Sequence, residues 1–385
     1  MDATAPAPPV ASARPRFTSR LHDERTAAWL GIALGVTFSI CFATGLWSHL
    51  QQSPPAWFDP PARPAGLYRF SQGLHVATGI ATIPILLAKL WVVYPRLFRR
   101  PVFVGVASLL ERVSLIPLIG GGIFLLFTGL ANINVWYPWP FSFRSSHYWV
   151  AWITIGALIV HIGAKLTTTR VAISRRALAD PKIAASSTVD RRRFLVLVGG
   201  ASAMLTLFTV GETVWPLRKL ALLAPRRPDT GPQGFPVNRT ALAADVVSAA
   251  KDPAYRLVVD GKVRRPLELS LNDLRALPQH SAVLPIACVE GWSASREWRG
   301  VRVRDLLVMA GAPSGARVEV QSLQQRHSYR TSDLDPAQAH DVDTLLALQV
   351  AGEDLHLDHG YPLRLIGPNR PGVLQTKWVT RLVVS

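Results

Sequence analysis

Two groups of residues in this 385-residue chain have types and spacings suited to chemistry. One is a set of five histidines in the apolar first half. The other is a single cysteine in the last third. His147 and His161 stand 14 residues apart, close to four helical turns, so they share one helix face about 21 Å apart along the axis. An imidazole in hydrocarbon is costly and marks a functional position. That separation suits axial ligands of two stacked haems, one near each leaflet, and paired histidines leave no open position on the iron, which favours electron transfer. Depth selects the partners. His75 lies on the outer side of its own apolar stretch and pairs with His147 at an outer haem. His22 precedes the first stretch and pairs with His161 at an inner haem. His49, at the outer end of the first stretch, is left as an alternative haem ligand, a quinone contact or a headgroup-level residue.

The elements that must hold these histidines are apolar runs long enough to cross a bilayer. They run from about Ala27 to Trp47, Leu67 to Tyr94, Val113 to Ile133 and Tyr148 to Leu166. A fifth, Phe194 to Pro216, follows Asp190-Arg191-Arg192-Arg193-Phe194-Leu195, which either anchors the inner end of a helix or resembles a twin-arginine export signal. The net charge of +17 raises the question of nucleic acid, but its distribution excludes that class. Segments 1–26, 95–112 and 165–193 hold 16 Lys/Arg against 6 Asp/Glu, whereas loops 50–67 and 134–146 hold one arginine each. That is the positive-inside pattern. It predicts a multi-pass plasma-membrane protein with a cytoplasmic N-terminus and residues 217–385 outside the cytoplasm. Residues 1–15, rich in Ala and Pro, read as disordered, with no cleavable signal peptide.

Cys288 is the cysteine outside the apolar spans. Cys41 lies within the first, so no disulfide between them is expected. The run Ala282 to Ala287 delivers Cys288 to a strand end, and a Gly291-Trp292-Ser293 turn follows. A zinc site would need more Cys or His at metal spacing. A cysteine nucleophile would need a base from His327 or His359. Around it the chain reads as mixed α+β: a strand and turn at Tyr255–Gly261, a Ser270-capped helix to Leu277, and a helix from Val301 stopped by Gly311. A strand at Arg317, a short helix from Val342 to Leu348, and strands at Tyr361–Ile366 and Lys377–Val384 complete it.

Two resemblances join these readings. The histidine region, through Arg20-Leu21-His22, Leu74-His75 and the His147/His161 pair, resembles the di-haem membrane subunits of the cytochrome b561 and formate-dehydrogenase gamma group. It departs from them in Asp23-Glu24-Arg25 after His22. The resemblance implies two b haems and a quinone site. The second set is Cys288-Val-Glu-Gly-Trp-Ser293, Trp298-Arg-Gly-Val, His359-Gly-Tyr-Pro-Leu-Arg364 and Lys377-Trp378. It is similar to the molybdopterin domain of the sulfite oxidase superfamily, most of all to its bacterial periplasmic branch with the methionine sulfoxide reductase catalytic subunit. That implies Cys288 as the molybdenum thiolate and His359, Arg364 and Lys377 as contacts to the pterin phosphate, with Trp292 and Ser293 beside them. Arg296, Arg330 and Arg370 are candidates for an anionic substrate pocket. Val289 to Trp292 replace the arginine-containing segment of the sulfite oxidases proper, which argues against sulfite.

The expected fold is a four-helix haem bundle plus a fifth transmembrane helix, followed by an α+β molybdopterin domain. The expected divisions are 1–15, a cytochrome region 16–168, a cytoplasmic loop 169–193, the fifth helix 194–216, a linker 217–249 and the molybdopterin domain 250–385. The expected function is a molybdenum oxidoreductase passing electrons among quinone, two b haems and an extracytoplasmic metal centre that reduces a small-molecule or protein S- or N-oxide. The alternatives are a sulfite-type dehydrogenase running in reverse and a non-catalytic haem docking protein. Lipid and quinone are the expected partners, and nucleic acid is not one.

Overall fold

The computed structural model describes residues 19–97, 106–174, 188–210, 215–326 and 329–385. The expectations for residues 1–15, for much of the loop 169–193 and for His327 fall outside these ranges. Five long helices come first: α1 (Glu24–Gln52), α2 (Leu67–Leu97), α3 (Val106–Ile133), α4 (Phe143–Ile173) and α5 (Thr188–Val210). All five are long and apolar enough to cross a membrane, and at most a third of the most apolar window of each is buried within the protein. A helix apolar on all sides with so little of it covered is one that faces lipid.

α1 packs on α2 and α4, α3 on α4, and α5 on α2. Asp23 caps α1 by accepting from the Thr26 backbone N–H at 2.6 Å, and its other oxygen meets Arg191 of α5 at 3.3 Å. Both side chains are buried, so the first of the three consecutive arginines ties the fifth helix to the start of the first.

After an extended linker and α6 (Val247–Lys251) the chain builds two sheets. The first has the order β2–β1–β10–β5–β6, made of β1 (Arg256–Gly261), β2 (Leu267–Ser270), β5 (Val318–Ser322), β6 (Thr331–Leu334) and β10 (Val379–Val384). The second runs β3–β4–β7–β8, from β3 (His280–Ala287), β4 (Ser293–Arg302), β7 (Leu345–Val350) and β8 (Glu353–Asp354), with β9 (Arg364–Ile366) also on β7. Ser270 caps α7 (Leu271–Ala276) in a capping box with Asp273, and Gly311, at φ +68°, ends α8 (Val303–Ala310). α9 (Pro336–His340) precedes β7.

One expectation is corrected. The short helix read at Val342 to Leu348 is instead a strand, β7. Nearly every residue of Leu345–Val350 is buried between β4 and β9, and a short unbroken apolar run of this kind has no period to separate strand from helix. The last two strands are also shorter than their apolar patterns, beginning at Arg364 and Val379.

The sheets sit on the end of the bundle that carries the α1–α2 and α3–α4 loops. Asn369 accepts from the Tyr68 backbone N–H at 2.7 Å and donates to the Pro61 carbonyl at 2.5 Å. Arg63 bridges Asp341 and Asp343, Arg317 pairs with Asp59, and Arg144 donates to the Tyr329 hydroxyl.

Candidate functional site

Within the bundle, His75 of α2 and His147 of α4 face each other with ring centroids 6.2 Å apart. Two imidazoles bonded through Nε2 to one iron, at about 2 Å each, have centroids about 6 Å apart, so the separation fits a shared metal. Their hydrogen bonds fix the tautomers. His75 Nδ1 lies 2.9 Å from the Cys41 carbonyl, which can only accept, so Nδ1 carries the hydrogen and Nε2 the lone pair. His147 Nδ1 lies 2.8 Å from the Thr128 hydroxyl, whose own proton goes to the Phe124 carbonyl at 2.8 Å. His147 is therefore also a Nδ1–H tautomer. This is the arrangement by which outer groups aim an imidazole at a metal. Both rings line an apolar cavity of about 240 Å³. Gly45 makes room: a Cβ there would lie 2.9 Å from His75 Cε1.

His49 lines the same cavity, stacked on Tyr148 at 3.8 Å. The His22 ring lies tilted against Trp91, centroids 4.6 Å apart, with Nδ1 3.0 Å from the Val92 carbonyl, so its described side-chain contacts run to α2. His161 lies on α4 towards the other end from His147.

In the C-terminal domain, β3 ends at Ala287 and Cys288 opens a turn closed by Gly291 N–H to Cys288 carbonyl (3.2 Å) and Cys288 N–H to Trp292 carbonyl (2.9 Å). Gly291 at φ +86° permits the reversal. Trp292 donates to Glu290 at 3.0 Å, and Arg226 pairs with Glu290 at 3.3 Å. Cys288 is buried, and burial, reinforced by Glu290, pushes its thiol up to about 12. Only a cation bound at the sulfur reverses that preference and holds it as thiolate.

Behind the turn lies a cluster of buried cations. Arg364, at the start of β9, donates to the His359 carbonyl at 2.9 Å and lies over the Trp298 ring at 5.4 Å; burial lowers it to about 9. Lys377 donates to the Arg239 and Asp358 carbonyls at 2.7 and 2.9 Å, and burial, with Arg364 beside it, drives it well below its ordinary value. His359 stacks on Phe235 at 3.7 Å and gives its Nε2 hydrogen to the Pro232 carbonyl at 2.7 Å; burial first, then Arg364, lowers it to about 3. Gly360, at φ +115°, lets Arg364 and Lys377 approach, since a Cβ there would lie 3.2 Å from atoms of both. Among the described residues no carboxylate pairs with Arg364 or Lys377 within ion-pair distance. Arg364 Nε, Arg239 Nε and Ser293 Oγ are buried without a hydrogen-bond partner. A phosphate-bearing group supplies the missing charge and acceptors, so these residues fit one.

Two of the remaining candidates flank these residues: Arg296 shares Phe235 with His359, and Arg370 precedes Pro371, which bridges to Ala287. Arg296 ties down the linker, donating to the Gly234 carbonyl and lying over Phe235 at 5.8 Å. Arg370 is buried with its Nη groups on Gln338, on the Asp333 carbonyl at 3.0 Å and on the Leu374 carbonyl at 3.0 Å. Its described bonds hold β6 and α9 together. Arg330 is exposed. Sequence reasoning missed Thr128, Arg239, Asn132 and Tyr329. Only tertiary packing brings Thr128 to a histidine 19 residues away, or Arg239 to Lys377.

Residues 243–385 match the family model of the oxidoreductase molybdopterin binding domain. The putative protein-methionine-sulfoxide reductase subunit YedZ1 of Azospira oryzae is 33% identical over 43% of this chain and 62% of its own length. The sulfite oxidase of Arabidopsis thaliana is 27% identical over 34% of this chain and 42% of its own length. The uncharacterized oxidoreductase YuiH of Bacillus subtilis is 33% identical over 38% of this chain and 71% of its own length. The chain thus spans less than two thirds of the first two of these relatives. Cys288, Arg364 and Lys377 all lie within the matched residues, and this chain belongs to the molybdopterin-binding oxidoreductases of the sulfite oxidase superfamily.

Proposed function

We propose that this protein passes electrons from quinol through two b haems to an extracytoplasmic molybdenum centre that reduces a sulfoxide or N-oxide. The observation that carries the reading is the His75–His147 pair, two bare Nε2 lone pairs at a metal-bridging separation in an apolar cavity. His22 and His161 hold the inner haem, and His49 stands beside the outer one. The N-terminus is cytoplasmic and residues 217–385 lie outside. The cytochrome part comprises 16–168 and the molybdopterin part 250–385, joined by the loop 169–193, the helix 194–216 and the linker 217–249.

The chain's own residues act as follows. The Cys41 carbonyl and Thr128 hydroxyl hold two imidazoles in the ligating tautomer. Cys288 provides a thiolate, a soft ligand apt for a metal already bound by sulfur. Arg364, Lys377 and Arg239 hold the phosphate, while neutral His359 offers Nδ1 as a hydrogen-bond acceptor. Trp298 and Phe235 wall the cations from water. When bound, the molybdenum cofactor supplies oxygen-atom transfer coupled to two electrons. The reductive direction is favoured by the Val289-Glu290-Gly291-Trp292 segment and by the putative reductase subunit among the relatives.

Metal analysis and pyridine haemochrome of the purified protein test this, with molybdenum and two b haems per chain expected. Absence of molybdenum from protein made in molybdate-replete cells overturns the enzyme centre, and absence of haem overturns the conduit. Anaerobic reoxidation of the reduced haems by sulfoxides or N-oxides fixes the direction. Haem reduction by sulfite, with no reoxidation by either oxide, overturns it.

A further inference from the structure

The turn that carries Cys288 does not stand clear of the bundle. Val289 lines the same cavity as His75 and His147. Asn132, next to last in α3, donates from Nδ2 to the Val289 carbonyl at 3.1 Å and accepts from the Tyr137 hydroxyl at 3.1 Å. A Cβ on Gly291 would lie 3.4 Å from Ile133 and 3.6 Å from Val76, so the turn faces the ends of α2 and α3 with room for no more than a methyl group between them. Its far edge is clamped through Glu290 by Trp292 and Arg226. The wall of the histidine cavity and the metal-ligating thiol are thus neighbours along one peptide chain.

We propose that the turn Cys288–Gly291 is the electron bridge between the two sites, and that Asn132 is the residue that positions it. The inference rests on the function proposed above. In each passage the outer haem iron is oxidised by one electron and the centre on Cys288 is reduced by one. Two passages, with two protons from solvent, match the two-electron release of one oxygen atom as water, and quinol is the reductant. Asn132 itself borders the histidine cavity. It acts by holding the Val289 carbonyl, and with it the cavity wall, in fixed register with Cys288. A displaced bridge lengthens the gap the electron must cross, and the transfer rate falls steeply with that gap.

The test uses the full-length holoprotein in nanodiscs, reduced by duroquinol. Appearance of the paramagnetic molybdenum signal is followed by rapid-freeze electron paramagnetic resonance. Asn132→Leu is expected to slow that appearance severalfold, with haem and molybdenum contents unchanged. Reduced viologen, which reaches the outer centre from solvent, should still generate the signal at the wild-type rate. Asn132→Gln, keeping the amide, should recover part of the loss. Arg63→Ala, at a different anchor between the halves, should not slow it, which separates bridging from mere docking. A second variant, Tyr137→Phe, which removes the hydroxyl that donates to Asn132 Oδ1, reads the same contact if Asn132→Leu fails to fold. Wild-type signal kinetics in the folded variants overturn the bridge. A wild-type protein lacking haem or molybdenum overturns the underlying function instead.

Discussion

At the histidine cavity, the groups that orient the two imidazoles are satisfied inside the bundle. His75 gives its hydrogen to a carbonyl, His147 to a threonine, and the walls are apolar. The cation cluster of the outer domain is built the other way. Arg364 and Lys377 are buried beside each other without a carboxylate among the described residues, and polar atoms of Arg239, Arg364 and Ser293 are left unsatisfied. The first site is complete before its ligand arrives. The second is completed by its ligand, and until then the fold carries the cost of buried unpaired charge. This difference predicts different responses to mutation and to cofactor removal.

The largest effects come from cutting each site separately. Cys288→Ala should abolish substrate turnover while leaving the haem spectrum intact. His147→Ala should remove the outer haem, lowering haem content by about half, with molybdenum retained. Optical spectroscopy and metal analysis on the two variants check this, and joint loss of both cofactors in either would mean the sites fold as one unit.

Much of this was legible in the sequence, for reasons specific to each residue. His75 and His147 stood out because a polar ring in an apolar run is costly to place there without a function. Cys288, Arg364 and Lys377 were found through the spacing of a shared motif; charge pattern alone would have left the two cations as surface residues. Thr128 and Asn132 carried no signal, since threonine and asparagine near a helix end are ordinary and only packing gives them partners. Arg296 and Arg370 carry partners that no spacing reveals: Arg296 donates to backbone carbonyls, and Arg370 to Gln338 and backbone carbonyls with its Nε still unsatisfied. β7 was misread because its burial on both faces erased the alternation that marks a strand.

The cation cluster should also give a change of sign. In protein made without molybdate, Lys377→Met removes a buried unpaired charge and is expected to stabilise the outer domain by about 1–2 kcal/mol. In cofactor-loaded protein the same change weakens retention of the pterin group by about tenfold or more, the loss of one charge-assisted contact. Thermal melts of the two forms followed by near-UV circular dichroism, with pterin release on dialysis, decide it. Destabilisation of both forms would mean that Lys377 is held by its carbonyl partners alone.

Acid response separates the two regions again. His359 is lowered from 6.5 to about 3 by burial and its cationic neighbours, so between these values the unfolded chain binds more protons than the folded one. Stability conferred by neutral His359 is complete above pH 6.5 and falls as pH drops towards 3, by at most about 1.4 kcal/mol per unit. In molybdate-free protein, His359→Asn should flatten this acid limb and leave the alkaline side unchanged. An acid limb that persists in the variant would assign it to other groups.

The smallest expected effect is at the seam between the two regions. Arg63 reaches Asp341 and Asp343 at 2.8 and 2.5 Å, but its side chain is half exposed, and the two carboxylates hold its pKa above the ordinary arginine value without much burial. An exposed ion pair contributes about 0.2–1 kcal/mol and is screened by salt. The buried anchor nearby is different in kind. Asn369, 1% exposed, satisfies the Tyr68 N–H and the Pro61 carbonyl, and its removal strands both, at about 1–3 kcal/mol. Hydrogen exchange at the α1–α2 loop should therefore rise little in Arg63→Ala and lose its difference from wild type at high salt, whereas Asn369→Ala should raise exchange at every ionic strength. If the two variants respond alike, surface charge rather than buried hydrogen bonding holds the outer domain to the membrane half, and the register of the Cys288 turn on α3 would then depend on ionic strength too.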